Sequence, residues 1–475
     1  MSWNLSIGEI LNATHGKALS QIKAKFSGVG TDTRADLTGK LFVALRGEAH
    51  DAHLYLDKAV LAGATGLLVD KLDPKFESLK EKVSIIEVPD TLKAFQNLGQ
   101  FWRRKMNLKV VGITGSNGKT TTKEFTAAIL ATKYNTHYSK GSFNNHWGVP
   151  ISLLEITSEH EVAVIEMGMN AFGEIETLTK IAEPDIVVVT MVGQTQGGAL
   201  GGIEGVAKAK EEIYKFAPEN ALQIFNLDNK YTLEMYERAK LSGKNGLLTF
   251  SSADAAADFA DVFLKLVHSD ENSIMVEGKI GQVQGRTRVP VYGTHNANNV
   301  MAASAVAYAC GMSGFEIWAA LPNCKTGWGR NQWLNTQSGA RVLFDAYNAS
   351  PDSMRAALSN FALLAKSGKK IAVLGEMREL GEQTGPAHLE LAREVAKVGF
   401  DEVIFIGPSR EQFAKELKAS GFSNKLVISD SCEHFLASEK LPVLHQSDIA
   451  LIKGSRGIQL ELLLKQWQPI DFGGK

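Results

Sequence analysis

The stretch Thr114-Gly115-Ser116-Asn117-Gly118-Lys119-Thr120-Thr121 has the residue types and the order needed to hold a chain of phosphates. It follows the apolar run Lys109-Val110-Val111-Gly112-Ile113 and precedes Lys123-Glu124-Phe125-Thr126-Ala127-Ala128-Ile129-Leu130, so the pattern predicts strand, glycine turn and helix. Glycines let backbone N–H groups converge on phosphate oxygens, and a helix N-terminus adds the positive end of its dipole. In such a loop Lys119 would reach the β- and γ-phosphates, and the Thr120 hydroxyl would ligate Mg²⁺. The usual pattern has its first glycine further upstream, where Ile113 stands here. A nucleotide loop also needs a carboxylate for its metal. Val162-Ala163-Val164-Ile165-Glu166 reads as a strand ending in an acid, at the edge where an α/β sheet presents its site, which makes Glu166 the candidate Mg²⁺ ligand. Taken alone, Glu166 would equally be a strand-end acid facing solvent.

Around these groups the pattern is α/β. Leu41-Phe42-Val43-Ala44-Leu45, Gly66-Leu67-Leu68-Val69 and Ile85-Ile86-Glu87-Val88 have strand length, with helical spacing over residues 52–62 and 91–106. The second helix ends in Arg103-Arg104-Lys105, expected as a solvated end near a linker. From Lys109 a second region carries strands at residues 162–165 and 186–189. The pattern changes near Gly327-Trp328-Gly329-Arg330. Beyond it, apolar runs recur at residues 371–374, 403–406, 426–428 and 450–452. Such alternation predicts parallel strands with helices on both faces. Three α/β domains are expected, over residues 1–108, 109–330 and 331–475.

Composition narrows the class. Lys and Arg total 51 against 52 Asp and Glu in 475 residues, a formal net charge of -1, which argues against a broad basic surface for nucleic acid. Apolar residues make up 44% and charged residues 22%, an ordinary globular balance. Cys310, Cys324 and Cys432 are too scattered for a disulfide framework or a metal pair. No basic-then-apolar leader follows Met1, and no run reaches the roughly eighteen apolar residues of a spanning helix. A cytoplasmic location is therefore expected. The Asn-Lys-x-Asp motif that reads guanine is also missing, which disfavours a switch GTPase.

The phosphate loop, with its displaced first glycine, resembles the ATP loop of the Mur ligases and folylpolyglutamate synthetases. Further matches follow in the order of that family over nearly the whole chain: Asn144-Asn145-His146-Trp147-Gly148-Val149-Pro150, Val206-Ala207-Lys208-Ala209-Lys210, His295-Asn296-Ala297-Asn298-Asn299, Gly329-Arg330, the segment from Asp345 to Met354, and Lys453-Gly454-Ser455-Arg456. Each is weak alone; their joint order is specific. Within the family, Tyr347-Asn348-Ala349 before Pro351-Asp352-Ser353-Met354, and Val373-Leu374-Gly375-Glu376-Met377-Arg378-Glu379-Leu380-Gly381, resemble the members that add D-alanyl-D-alanine. The Asp-Asn-Pro motif by which a sister enzyme selects its amino acid is not found. Thr31-Asp32-Thr33-Arg34 and Leu41 to Gly47 resemble the UDP-sugar-binding domain of these enzymes.

This resemblance implies a central P-loop ATPase-type parallel sheet between an N-terminal UDP-binding domain and a C-terminal Rossmann-like domain. It also implies an ATP- and Mg²⁺-dependent amide ligation. ATP would phosphorylate the terminal carboxylate of UDP-N-acetylmuramoyl-tripeptide, and the amine of D-alanyl-D-alanine would attack the acyl phosphate. Gly115, Ser116, Asn117, Gly118, Lys119, Thr120 and Thr121 would hold the phosphates. Asn296 and Asn299, with His295 nearby, would face the nucleotide base and ribose, and Arg330 and Asp345 would lie on the nucleotide side of the hinge. Glu166 and a carbamylated Lys210 would serve the metal alongside Thr120. Thr33, Arg34 and Asn145 would contact the UDP-linked substrate, and Lys453, Ser455 and Arg456 the acyl phosphate or dipeptide. A monomer acting on small molecules, with no nucleic acid or membrane span, is expected. One position departs from the family: Gln196 stands where a histidine usually ligates a second metal. Two alternatives stay open, a Mur-type ligase with another acceptor and a nucleotide-binding relative without turnover.

Overall fold

The computed structural model describes residues 3–47, 50–193, 200–364 and 368–470. The chain forms two compact units, one of Met1–Thr114, Leu130–Val188 and Glu212–Gln223, the other of Gly115–Ile129, Val189–Glu211 and Ile224–Lys475.

The first unit opens with α1 (Ile7–Thr14), followed by β1 (Lys17–Ser20), β2 (Val29–Gly30), β3 (Leu41–Val43), β4 (Gly66–Val69) and β5 (Ser84–Glu87). These strands form a sheet in the order β1-β5-β4-β3-β2, parallel except for β1. β3 and β4 are buried along their whole length, which explains why they read as continuous apolar runs. The helical spacing over residues 52–62 resolves into a 3-10 turn, Ala52–Tyr55, and a short helix, Leu56–Leu61. Next comes α2 (Thr91–Lys105), capped by the Asp90 carboxylate on Lys93 N and packed through Ala94, Phe95, Leu98 and Trp102.

The end of α2 corrects the expectation of a solvated basic cluster. Arg103 is buried: its Nε donates to the Ala182 carbonyl at 3.0 Å, and its Nη2 donates to the Glu183 carbonyl at 3.1 Å and pairs with Asp185 at 2.9 Å. Those carbonyls end the helix Glu174–Ala182 and have no partner within it, so the guanidinium satisfies them and complements the helix dipole. Arg104 pairs with Glu183 and Lys105 with Glu9.

From α2 the chain enters β6 (Lys109–Thr114) and, through the glycine turn, α3 (Lys119–Leu130), which belongs to the second unit. It then returns as β7 (Thr136–Tyr138), α4 (Gly148–Leu154) and β8 (Val162–Glu166). β7, β8 and β6 pair side by side in parallel. The second unit takes in residues 203–211 of α5 (Ile203–Phe216) and the antiparallel strands β9 (Val262–Ser269), β10 (Ile274–Ile280) and β11 (Val283–Val289). Purely parallel pairing was the expectation here. β11 instead alternates half-buried and exposed positions, the period-two signature of a strand with one solvated face.

After α6 (Asn296–Ala309) comes a six-stranded sheet of β12 (Gln332–Asn335), β13 (Arg341–Asp345), β14 (Lys370–Gly375), β15 (Glu402–Ile406), β16 (Lys425–Ser429) and β17 (Ile449–Lys453). Its order is β12-β13-β17-β14-β15-β16, antiparallel only at β12. β17, last in sequence, is inserted between β13 and β14, so the loops leaving these three strands share one edge. α7 (Pro351–Ala362), α8 (Thr384–Val398) and α9 (Arg410–Ala419) connect the strands. Phe405 in β15 stacks on Phe413 at 4.3 Å and meets His388 edge-on at 5.8 Å, with no exposed surface. Replacing Phe405 by Ala removes the ring between two neighbours that cannot close on each other. We expect a loss of about 3–5 kcal/mol, read from the midpoint of urea unfolding.

Candidate active site

The glycine turn has the geometry its spacing predicts. Gly115 and Gly118 adopt φ of +150° and +82°. A Cβ at Gly115 would collide with the Thr190 hydroxyl, and one at Gly118 with the Asn299 amide oxygen, so only glycine passes at either point. Ser116 is locked beside them: its N–H donates to the Met191 carbonyl at 2.8 Å, and its hydroxyl donates to Gly193 O at 3.1 Å while accepting from Gly193 N at 2.9 Å. The Thr190 hydroxyl donates to the Asn117 carbonyl at 2.7 Å, and Ser350, the N-cap of α7, donates to Asn117 Oδ1 at 3.3 Å. Lys119 Nζ folds back onto the Gly115 carbonyl at 2.7 Å. Thr120 and Thr121 are buried in the first turn of α3.

Arg330 reaches the same turn: its Nη2 donates to Thr120 Oγ1 at 3.1 Å, while its guanidinium lies 4.5 Å from the Tyr347 ring centroid. Asp345, at the end of β13, accepts from Asn331 N at 3.2 Å and pairs with Lys453 Nζ at 2.5 Å. Asn296 and Asn299 are buried on α6 and joined in series: Asn296 Nδ2 donates to the Tyr292 carbonyl at 2.7 Å, and Asn299 Nδ2 donates to Asn296 Oδ1 at 2.9 Å. The Thr122 hydroxyl completes the series on Asn299 Oδ1 at 3.4 Å, so these amides brace α6 against the helix of the phosphate loop. His295 sits between the Asn331 and Asn360 amides, at 3.2 and 3.4 Å. Burial lowers its pKa, against the opposing pull of Asp345.

Lys210, on α5, is 2% exposed. Burial, reinforced by the charge of Lys119, holds its pKa well below the usual 10.5. An amine in that environment tends to be neutral and nucleophilic. Ser455 accepts from Arg378 N at 2.9 Å, and Arg456 stacks on Trp328 at 4.7 Å and pairs with Glu461.

In the first unit Glu166 closes β8 with 1% exposure, and Asn144 Nδ2 donates to its Oε1 at 2.8 Å. Asn145 turns its Oδ1 to Trp147 N and Gly148 N, at 3.2 and 2.9 Å, capping α4. Arg34 is exposed and paired with Asp32 at 2.7 Å, which lowers the Asp32 pKa to about 2, and Thr33 beside it is half-buried. Gln196 lies outside the described residues. Asn144, Thr190 and Asn331 were not among the candidate residues, yet each bonds one of them. Asn144 carried a signal, its place beside Asn145, whereas Thr190 and Asn331 become partners only through long-range packing.

The chain is similar to known proteins along most of its length. Residues 113–307 match the Mur ligase middle domain, and residues 329–456 match the Mur ligase, glutamate ligase domain. The chain is 34% identical to the UDP-N-acetylmuramoyl-tripeptide–D-alanyl-D-alanine ligase of Bacillus subtilis, over 92% of each chain. It is 36% identical to that of Escherichia coli, over 80% of this chain and 81% of the relative. A crystal structure of MurF from Acinetobacter baumannii superposes with a TM-score of 0.83 at 28% identity, covering 98% of both chains.

The lowered pKa of Lys210 has a stability consequence with a definite sign. Between its folded pKa and 10.5 the unfolded chain binds the extra proton, so this lysine makes stability rise with pH across that window. Lys210→Met should therefore raise the unfolding midpoint at neutral pH, and its advantage should shrink as pH climbs towards 10. Thermal unfolding measured from pH 6 to 10 reads both effects.

Proposed function

The chain belongs to the Mur ligase family, and from that premise we propose how its residues carry the reaction. It is a ligase of peptidoglycan synthesis that forms the amide between D-alanyl-D-alanine and UDP-N-acetylmuramoyl-tripeptide. The observation that best supports the chemical reading is the Gly115–Thr121 turn, where Lys119 and Arg330 bring positive charge to a backbone shaped for phosphate.

ATP is the energy source in this reading. A free carboxylate acylates poorly because oxide is a bad leaving group. The terminal carboxylate of the tripeptide therefore takes the γ-phosphoryl group, releasing ADP and leaving an acyl phosphate. The amine of the dipeptide then adds to the acyl carbon, loses a proton, and the tetrahedral intermediate expels inorganic phosphate. Most of the catalytic task is to align the groups and neutralise charge. Lys119 and Arg330 do this at the phosphates, while the Asn296–Asn299 series holds the nucleotide side in place.

Mg²⁺ takes one or two carboxylates and completes its shell with waters and substrate phosphates. Glu166 and Thr120 would hold it, and it would offset charge on the transferring phosphoryl group. Lys210 fits a further part: its amine, when unprotonated, can add CO₂ and lose a proton, which turns a basic side chain into an anionic carbamate. Thr33, Arg34 and Asn145 hold the UDP-linked substrate and Ser455 the dipeptide. The functional domains divide near residues 108 and 330, and the protein works as a monomer. No helix among the described residues is long and apolar enough to cross a membrane.

ATP-dependent phosphate release, followed with and without each substrate, tests the reading. Release should require both substrates and yield a UDP-linked pentapeptide by mass spectrometry; release indifferent to D-alanyl-D-alanine would overturn it. Lys119→Ala should cut turnover about a hundredfold or more while leaving the circular dichroism spectrum unchanged.

A further inference from the structure

Lys453 closes β17, between the ends of β13 and β14, at the edge where a ligand would be met. Its ammonium is spent within the fold: the side chain is 2% exposed, and Nζ contacts Asp345 Oδ2 at 2.5 Å and the Asn348 carbonyl at 3.3 Å. A lysine meant to grip a substrate carboxylate would leave its head accessible. This one ties together the loop that leaves β13.

That loop in turn shapes the turn ahead of β12. The other Asp345 oxygen accepts from Asn331 N at 3.2 Å, and Tyr347 N donates to the Gly329 carbonyl at 3.1 Å. Asn331 is held at φ +47°, in the left-handed region that asparagine tolerates better than most residues with a Cβ. Between these anchors stands Arg330, stacked on Tyr347 and donating to Thr120. The contacts thus run from Lys453 through Asp345 and Asn331 to Arg330 and the phosphate loop, all inside the second unit.

We propose that Lys453 is a positioning residue for the nucleotide half of the reaction, acting through Asp345 to set Arg330 over Thr120. The proposal rests on the reading of Thr120 and Arg330 as phosphate-facing groups. Without the ammonium, Asp345 is a buried carboxylate with no cation and the Asn348 carbonyl loses its donor. The loop must then shift or Asp345 must take a proton, and either change loosens the grip on Asn331 N and lets Arg330 leave its place.

The test uses the full chain. Affinity for a non-hydrolysable ATP analogue with Mg²⁺ is measured by calorimetry, and KM for ATP and for D-alanyl-D-alanine from phosphate release. Lys453→Met should weaken analogue binding about tenfold and raise KM for ATP, with KM for the dipeptide unchanged. In an Arg330→Ala background the same substitution should add less than about twofold, because the two residues act in series. Lys453→Arg, which keeps the charge, should restore most of the affinity. Should Lys453→Met fail to fold, Asp345→Asn is measured in its place and should show the same dependence on Arg330. Unchanged analogue affinity, a rise confined to KM for the dipeptide, or full additivity with Arg330→Ala would each overturn the proposal. Analogue binding needs neither peptide substrate, so this outcome is separate from that of the ligation assay.

Discussion

Backbone N–H groups can face a phosphate only where the chain itself comes within reach, and at Gly115 and Gly118 that leaves no volume for a side chain. The neighbours that fill the space are the Thr190 hydroxyl and the Asn299 amide, both held by bonds of their own. The turn is therefore set from two sides. Residues 190–193 receive Ser116 and Asn117, and α6 supports the first turn of α3 through Thr122. A small shift in any of these would rotate the N–H groups away from their target. That dependence explains why so many buried polar residues of the second unit lie within a few contacts of one short loop.

The second governing cost is the burial of charge. An ionised group in a dry interior is tolerated when it is paired, hydrogen-bonded or neutralised, and the chain uses all three solutions. Lys453 and Asp345 neutralise one another, Glu166 receives the Asn144 amide, and Lys210 gives up proton affinity instead. The first two arrangements hold geometry. The third gives up stability, because burial disfavours the charged form of the amine.

Away from the site the same accounting decides less obvious placements. Arg103 sits in a basic triplet that looks solvated, yet its guanidinium covers the carbonyl end of a neighbouring helix. Nothing in Arg103-Arg104-Lys105 distinguishes the buried arginine from its exposed neighbour except helical phase, which places position 103 on the face of the buried Gln96 and Gly99, seven and four residues earlier. The strands β9 to β11 were missed for a related reason: their alternating, partly charged pattern is weaker than the apolar runs of parallel strands.

The sequence by itself determined the phosphate loop, the strands β6 and β8 that precede its key residues, the α/β class and the family. Each is written in contiguous residues, in glycine spacing or in motif order, and survives without knowledge of distant contacts. Tertiary structure alone decided the roles of Lys453, Asp345, Asn331 and Thr190. Lys453 and Asp345 read as separate polar residues along the chain and become an ion pair only because β17 inserts beside β13. Lys210 reads as an ordinary helix lysine, and only the packing around α5 removes the water that would keep it charged. Burial and partnership are properties of the folded arrangement, so the residue types announced a chemistry and the packing decided which atoms are left to perform it.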